Sequence, residues 1–345
     1  MSASPFLKKL AVFATASLVV FLTLEILARL FFADFAKEPV VPPTINLLDE
    51  KLGWRLKPNL SVASNRLGYE IEYHMNSKGL RDDETPYQKP DGVFRVVLLG
   101  DSRTFGFGVP IEKHFSRILE GYFEDFEVVN LGISGYGVDQ QLLYLREEGF
   151  KYQPDLVMAY VAHYASHRHM YAERFGMKKP HFELADRELQ LKNVPVPIQS
   201  SGAFSFVREM HHWGAANSVV YHILGNGLLR MMKKNNAKTQ ATQEKSGAAD
   251  AEFTRRLHEL GATIVFQMQK DAETRGANFV LVTEIPELHW TMQKEGVLSL
   301  DVSQALDNHF YPLPEDLKHI NESGNGVLAW EIAQFLKEER LTRGE

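Results

Sequence analysis

A short apolar run that stops at a glycine constrains this sequence more than any other feature. Residues 93–99 read Val-Phe-Arg-Val-Val-Leu-Leu, and Gly100-Asp101-Ser102 follows directly. Such runs are typical of strands buried on both faces, and the reactive groups of open α/β sheets lie just beyond the carboxyl ends of their strands. The sequence therefore places Ser102 where a nucleophile would stand.

A second feature, near the C-terminus, supplies the partners that a nucleophilic serine needs. Asp316 and His319 are three positions apart, so one turn of chain can present both side chains. A serine hydroxyl is a weak nucleophile at neutral pH; an imidazole must take its proton, and a carboxylate must hold that imidazole in the correct tautomer. The spacing predicts a Ser-His-Asp arrangement.

Three ordered blocks of this sequence resemble those of the SGNH/GDSL hydrolases. They are residues 100–106 (Gly-Asp-Ser-Arg-Thr-Phe-Gly), residues 130–135 (Asn-Leu-Gly-Ile-Ser-Gly) and the Asp316-x-x-His319 pair. The resemblance implies a flavodoxin-like parallel sheet, with Ser102 as nucleophile, His319 as base and Asp316 as its partner. It also implies an oxyanion hole formed by the backbone N–H groups of Ser102 and Gly135.

The sequence departs from this family at the third block, where the family carries an asparagine as a further oxyanion donor. Here the predicted strand 155–161 runs into Ala162, His163 and Tyr164, with no asparagine. Loss of one such donor costs roughly 10²–10³ in rate. Because both side chains can donate a hydrogen bond, we expect His163 or Tyr164 to replace the missing group.

The N-terminus carries a candidate membrane anchor. Lys8 and Lys9 precede a largely apolar segment, residues 10–32, whose charged residues are Glu25 and Arg29. As a helix it would extend roughly 34 Å, enough for a hydrocarbon core of ~30 Å. The preceding lysines favour a cytoplasmic N-terminus, so the sequence predicts an uncleaved signal anchor, single-pass in the inner membrane, with the following domain facing the periplasm or cell exterior.

Strand-like and helix-like segments alternate after Ser102, which favours a doubly wound parallel sheet of five strands. The predicted organisation is a cytoplasmic tip and transmembrane anchor, a stalk and small β pre-domain, and a hydrolase domain with an insertion. Their bounds are residues 1–34, 35–90 and 91–345, with the insertion at about 165–250.

Composition excludes several classes of function. The net charge of −6 and the lack of a long basic run argue against nucleic-acid binding. The sequence has no cysteine, which excludes thiolate catalysis, disulfides and cysteine-type zinc sites. We expect neither a metal nor another cofactor.

The sequence thus predicts a membrane-anchored serine ester hydrolase or acyl-group transferase. Its expected substrate is an acylated polysaccharide or lipid of the cell envelope. The alternative is a catalytically weak or inactive protein of the same fold that binds or assembles envelope components, an interpretation that the missing asparagine favours.

Overall fold

The structure is a computed structural model, and the residues that it describes fall into two compact units. One unit comprises Met1–Pro43, Ser64–Tyr69 and Gln199–Gly247, and the other comprises Thr44–Ala63, Glu70–Ile198 and Ala248–Glu345. The described residues are 5–31, 45–64, 69–162, 167–174, 177–186, 188–197, 218–221, 247–306 and 319–342.

Helices and strands alternate along the larger unit, as the sequence predicts. Among the described residues the α-helices are α1 (Pro5–Phe31), α2 (Phe115–Glu120), α3 (Val138–Glu147), α4 (Gly247–Glu273), α5 (Pro286–Lys294) and α6 (Glu322–Glu338). The strands are β1 (Asn46–Asp49), β2 (Gly53–Leu56), β3 (Ser61–Ser64), β4 (Ile71–His74), β5 (Phe94–Gly100), β6 (Phe126–Gly132), β7 (Leu156–Val161), β8 (Glu173–Arg174), β9 (Met177–Lys178), β10 (His181–Ala185), β11 (Glu188–Lys192), β12 (Asn278–Thr283) and β13 (Ser299–Asp301).

Five of the strands form one parallel sheet in the order β13-β12-β7-β5-β6. In chain order these strands are 5-4-3-1-2, the flavodoxin-like arrangement, and its topological switch point lies between β5 and β7. The register aligns Gly100 with Gly132 and Leu99 with Ala159, so the strands end at a common edge. The predicted doubly wound sheet is confirmed, and Ser102 follows β5 at the switch point.

Alternate side chains of each strand pack into two separate cores, one on each face of the sheet. On β5, Val97 and Leu99 belong to the core that contains residues of α3 and α4, whereas Val96 and Leu98 belong to the core that contains residues of α2 and α6. All four side chains are fully or almost fully buried. Burial on both faces explains why β5 reads as a continuous apolar run.

Small antiparallel sheets accompany the parallel sheet. The pairs β1–β2 and β3–β4 lie within residues 35–90 and confirm the predicted β appendage, whereas β8–β9 and β10–β11 lie within the predicted insertion. From β2, the fully buried Trp54 meets the ring of Tyr136 edge to face, with centroids 5.6 Å apart. Its indole N–H donates to the carbonyl of Ser134 at 3.2 Å. The appendage thus packs on the loop that follows β6.

Helix α1 belongs to the smaller unit and is the predicted N-terminal apolar helix. Residues Ala11–Phe31 are long and apolar enough to cross a membrane, with mean hydropathy 2.2. Glu25 is buried and accepts hydrogen bonds from the hydroxyl of Ser218 at 2.7 Å, the N–H of Val219 at 3.0 Å and the guanidinium of Arg29 at 2.8 Å. These contacts satisfy a carboxylate on an otherwise apolar helix.

The sequence pattern did not predict helix α5, which lies between the fourth and fifth strands of the sheet. The last helix, α6, begins at Glu322 because Asn321 caps it, its side-chain oxygen accepting the N–H of Gly324 at 3.0 Å.

Candidate active site

The structure brings Ser102 and His319 together across the end of the parallel sheet. The Nε2 atom of His319 lies 2.9 Å from Oγ of Ser102, a hydrogen-bond distance, although the two residues are 217 positions apart. The Ser102 residue is 8% exposed. The ring of Phe107 packs on the imidazole with centroids 4.4 Å apart. This is the contact that a serine nucleophile and its base require.

Three other predicted site residues lie outside the described residues. They are Asp316, His163 and Tyr164. The roles assigned to them from the sequence stay predictions.

Gly135 follows β6 in the loop that the appendage supports. Its φ of +90° is a conformation that favours glycine, and no acceptor for its backbone N–H lies among the described residues. The carbonyls on either side are fixed, since that of Ser134 accepts from Trp54 and that of Tyr136 accepts from Arg168 at 3.0 Å. The peptide groups around Gly135 are therefore held in one orientation.

Two glycines at the strand ends allow the nucleophile turn, residues 101–109, to pack closely against the sheet. A Cβ atom on Gly100 would collide with the side chain of Thr104, and one on Gly132 would collide with the backbone of Thr104 and Phe105. These two glycines are paired in register on β5 and β6. The glycines of the first two sequence blocks are thus explained by the close approach of the turn that carries Ser102.

Buried ion pairs fix the residues on both sides of Ser102. Asp101 accepts the N–H of Arg103 at 3.0 Å and pairs with the guanidinium of Arg168 at 2.8 Å. Arg103 in turn pairs with Glu284, which follows β12, and donates to the hydroxyl of Tyr160 at 3.1 Å. Both arginines are at least 96% buried. Arg103 is therefore neither an exposed turn residue nor an open docking point for an anion, because Glu284 neutralises it.

Arg81 holds the far side of the same turn. Its guanidinium donates to the carbonyls of Phe105 at 2.9 Å, Gly106, and Val109 at 2.7 Å. It also lies over the ring of Tyr73, 4.5 Å from the centroid. Burial lowers the pKa of Arg81 to about 10, which leaves it charged at neutral pH. A side chain from the segment before β5 thus fixes the loop that presents Phe107 to His319.

A buried neutral histidine completes the support of the turn. The Nε2–H of His114 donates to the carbonyl of Arg103 at 3.0 Å, and its Nδ1 accepts the N–H of Ser116 at 3.3 Å. Desolvation lowers the pKa of His114 to about 3, so the ring stays neutral. One imidazole therefore links the turn to the start of α2.

Sequence reasoning missed Arg81, Arg168 and Glu284. Only Glu284 could have been recognised in the sequence. It is a charged residue directly after the apolar strand β12, just as Asp101 comes directly after β5. Arg81 is followed by two aspartates and Arg168 lies in a histidine-containing loop, so both are indistinguishable from surface charges in the sequence.

Comparison with known proteins gives matches among solved structures alone. No family model and no curated protein matches the sequence. A psychrotrophic esterase, EstA, from a Pseudoalteromonas species matches with 12% identity and a TM-score of 0.38, over 72% of this chain and 99% of that chain. A GDSL-like lipase from Bacteroides thetaiotaomicron matches with 13% identity and a TM-score of 0.37, over 73% and 92%.

A member of the lipolytic protein G-D-S-L family from Veillonella parvula matches with 10% identity and a TM-score of 0.35, over 70% of this chain and 97% of that chain. At this level of likeness, a functional assignment depends on the geometry within this chain. The solved structures that it matches include GDSL-family proteins, an acylhydrolase and an esterase. The geometry on which an assignment depends is the sheet order of this chain and its Ser102–His319 contact.

Proposed function

We propose that this chain is a serine ester hydrolase of the SGNH type, or an acyl-group transferase that uses the same machinery. The observation that carries the proposal is the 2.9 Å contact between Ser102 Oγ and His319 Nε2 at the switch point of a flavodoxin-like sheet. Ligands of such sheets bind at this point, beyond the carboxyl ends of the strands. A serine and a histidine in hydrogen-bond contact there form a nucleophile and its base.

In the proposed reaction, Ser102 Oγ attacks the carbonyl carbon of an ester while His319 Nε2 takes the hydroxyl proton. The bond to the alcohol oxygen then breaks, and His319 returns the proton to the leaving alcohol. A water molecule, or a sugar hydroxyl in the transferase case, attacks the acyl-enzyme and restores Ser102. Nε2 accepts from the serine only when the proton is on Nδ1, and Asp316 is the group expected to hold that tautomer.

The tetrahedral intermediate needs donors for its oxyanion. We assign the backbone N–H groups of Ser102 and Gly135 to this role, with His163 or Tyr164 in place of the family asparagine. The fixed carbonyls of Ser134 and Tyr136 support the first part of this assignment, because a donor orients an oxyanion well only when its own peptide is held.

The proposed setting is the cell envelope. Helix α1 exposes its apolar side chains, with Phe13 72% and Phe31 75% exposed, as a membrane-spanning helix would. We propose that residues 1–34 anchor the chain in the inner membrane, that residues 35–90 form a stalk and pre-domain, and that residues 91–345 act in the periplasm on an acylated polysaccharide or lipid. A reporter fused after Glu345 should then be active outside the cytoplasm; activity inside alone would refute the orientation.

Covalent labelling with a fluorophosphonate tests the proposed chemistry without knowledge of the substrate. A phosphonate reacts with a serine only where a base and an oxyanion hole are assembled. The full chain in detergent should be labelled at Ser102, Ser102→Ala should not be labelled, and His319→Ala should react at least 100-fold more slowly. His163→Ala and Tyr164→Ala are made separately, and the substitution that slows labelling identifies the third oxyanion donor.

The binding-protein alternative keeps one specific observation in its favour, the missing asparagine after β7. It predicts that wild type stays unlabelled under conditions that label a control hydrolase. Equal labelling of wild type and His319→Ala would remove His319 from the mechanism.

A further inference from the structure

Arg168 contacts both of the loops to which the assigned oxyanion donors belong. Its Nη1 atom donates to Oδ2 of Asp101 at 2.8 Å and to the carbonyl of Tyr136 at 3.0 Å. Asp101 directly precedes Ser102, and Tyr136 directly follows Gly135. A guanidinium Nη atom carries two hydrogens, so this one nitrogen can donate both bonds at once. These two hydrogen bonds, here called the Arg168 bridge, therefore join the residues next to both donors.

Burial strengthens both hydrogen bonds of the Arg168 bridge. The side chains of Arg168 and Asp101 are 3% and 1% exposed, so water hardly competes for them. A charge-assisted hydrogen bond is roughly twice as strong as a neutral one. Separating two buried opposite charges would leave each of them uncompensated, which is strongly unfavourable. The bridge therefore resists any movement that would draw the two loops apart.

The backbone that carries Arg168 is itself held in place. Arg168 begins a short 3₁₀ turn, Arg168–Met170, on the loop that follows β7. A Cβ atom on Gly137, just before α3, would lie 3.0 Å from Cβ of Arg168, so the stem of the arginine packs closely on that loop. The ring of the next residue, His169, donates to the carbonyl of Leu257 on α4 at 3.0 Å. A side chain can position a site only when its own support is rigid, as it is here.

The Arg168 bridge lies farther along the two loops than the contacts made by the strands. β5 and β6 pair Gly100 with Gly132, and the N–H of Ile133 donates to the carbonyl of Gly100 at 3.2 Å. Tyr136 lies three positions beyond Ile133. An oxyanion requires donors about 2.7–3.1 Å away, and a displacement of about 1 Å can cost about 10² in rate. A contact that holds the outer parts of both loops therefore controls the geometry of the oxyanion hole.

We propose that Arg168 is a positioning residue, which sets the separation of the Ser102 and Gly135 N–H groups by joining their two loops. The inference rests on the proposed ester chemistry. It gives the loop after β7, where the sequence has no asparagine, a part in the oxyanion hole through the backbone donors of the other two loops. Loss of the bridge should lower kcat about 100-fold and leave KM within about twofold, because the oxyanion forms only after the substrate has bound.

The test compares kcat/KM for p-nitrophenyl acetate and for the corresponding thionoester, in which sulfur replaces the carbonyl oxygen, on the full chain in detergent. Sulfur is larger than oxygen and accepts weaker hydrogen bonds, so a well-formed oxyanion hole favours the oxygen ester. Arg168→Met should lower the ester-to-thionoester ratio at least tenfold. Partial unfolding lowers both rates equally and leaves the ratio unchanged. A wild-type ratio in Arg168→Met would overturn the proposal.

Arg95→Met is the matched control for the loss of a buried arginine. Arg95 is fully buried near the start of β5, the end of the strand opposite Ser102. It pairs with Glu127 at 2.7 Å and donates to the carbonyl of Tyr152 at 2.9 Å. Its replacement should lower Tm and leave the ester-to-thionoester ratio as in wild type. An equal fall of the ratio in both variants would contradict the assignment.

A double variant, Arg168→Met with Asp101→Asn, separates the bridge from the neutralisation of Asp101. It contains no unpaired buried carboxylate, and the amide keeps an acceptor oxygen for the N–H of Arg103. We expect part of the stability lost in Arg168→Met to return while the ester preference stays low, because the contact with Tyr136 is still absent. A return of the ester preference as well would mean that Arg168 merely neutralises Asp101, and would refute the positioning role.

Hydrogen exchange separates this inference from the proposed function. Peptides covering residues 100–106 and 131–137 should exchange faster in Arg168→Met than in Arg95→Met, whether or not Ser102 is reactive. If wild type fails to react with fluorophosphonate but both peptides exchange faster, Arg168 holds the two loops and the hydrolase proposal fails. Unchanged exchange and an unchanged ester-to-thionoester ratio in a protein that does label at Ser102 refute the Arg168 assignment alone.

Discussion

Replacement of Arg81 by lysine gives the sharpest test of how the nucleophile turn is held. Arg81 is 2% exposed, and its guanidinium donates to three carbonyls of one loop, those of Phe105, Gly106 and Val109. A lysine ammonium keeps the charge, but as a compact group on a flexible stem it cannot span three acceptors in the geometry of a planar fork. We expect the variant to keep one of the three hydrogen bonds.

The expected cost follows from the two bonds that are lost. A hydrogen bond to a charged group contributes about 1.5–3 kcal/mol, so Arg81→Lys should lower the free energy of unfolding by about 3–6 kcal/mol. For a domain of this size, that corresponds to a fall in Tm of at least ~6 °C. Because Phe107 of the same loop packs on His319, fluorophosphonate labelling of Ser102 should also slow at least tenfold at temperatures where the variant is folded.

The assay is thermal unfolding by circular dichroism, combined with labelling kinetics at 10 °C, on the full chain in detergent. Arg256→Lys, on the exposed surface of α4, is the matched control and should change neither quantity. If Arg81→Lys unfolds and reacts like Arg256→Lys, the carbonyl contacts do not hold the turn. If stability falls but the labelling rate of folded protein does not, Arg81 stabilises the fold without positioning the site.

Three further predictions concern the supports of the site. The pKa of His114 falls from 6.5 to about 3 on folding, so its contribution to stability is complete above pH 6.5 and is lost as the pH falls toward 3. Urea unfolding should therefore show a free energy of unfolding about 2 kcal/mol lower at pH 5 than at pH 7 from this group. This difference should be absent in His114→Gln. Lys179→Met should lower the free energy of unfolding by about 3–5 kcal/mol, because it leaves the fully buried carboxylate of Asp139 without its ion-pair partner. Adding Asp139→Leu should restore part of that stability. A double variant no more stable than Lys179→Met alone would contradict this prediction. Gly132→Ala should slow Ser102 labelling at least tenfold, since the new Cβ displaces the nucleophile turn, whereas Gly326→Ala, which meets open space, should label at the wild-type rate.

The sequence by itself determined the parts of this protein that depend on local pattern. The apolar run before Gly100 predicted a strand buried on both faces, and the alternation of segments predicted the parallel sheet that the structure has. The pairing of Ser102 with His319 also followed from the sequence, because each lies in a short motif whose chemistry needs the other. The long apolar segment that forms α1 could equally be recognised in the sequence.

The tertiary structure decided which charges surround the nucleophile. Arg103 reaches Glu284 across 181 positions, Asp101 reaches Arg168 across 67, and Arg81 reaches the carbonyls of a loop about 25 residues away. A period in the sequence reports which face of a helix or strand is buried, but a buried charge is satisfied by whichever distant segment packs against it. That partner depends on how elements separated in sequence come together, so no local pattern encodes it.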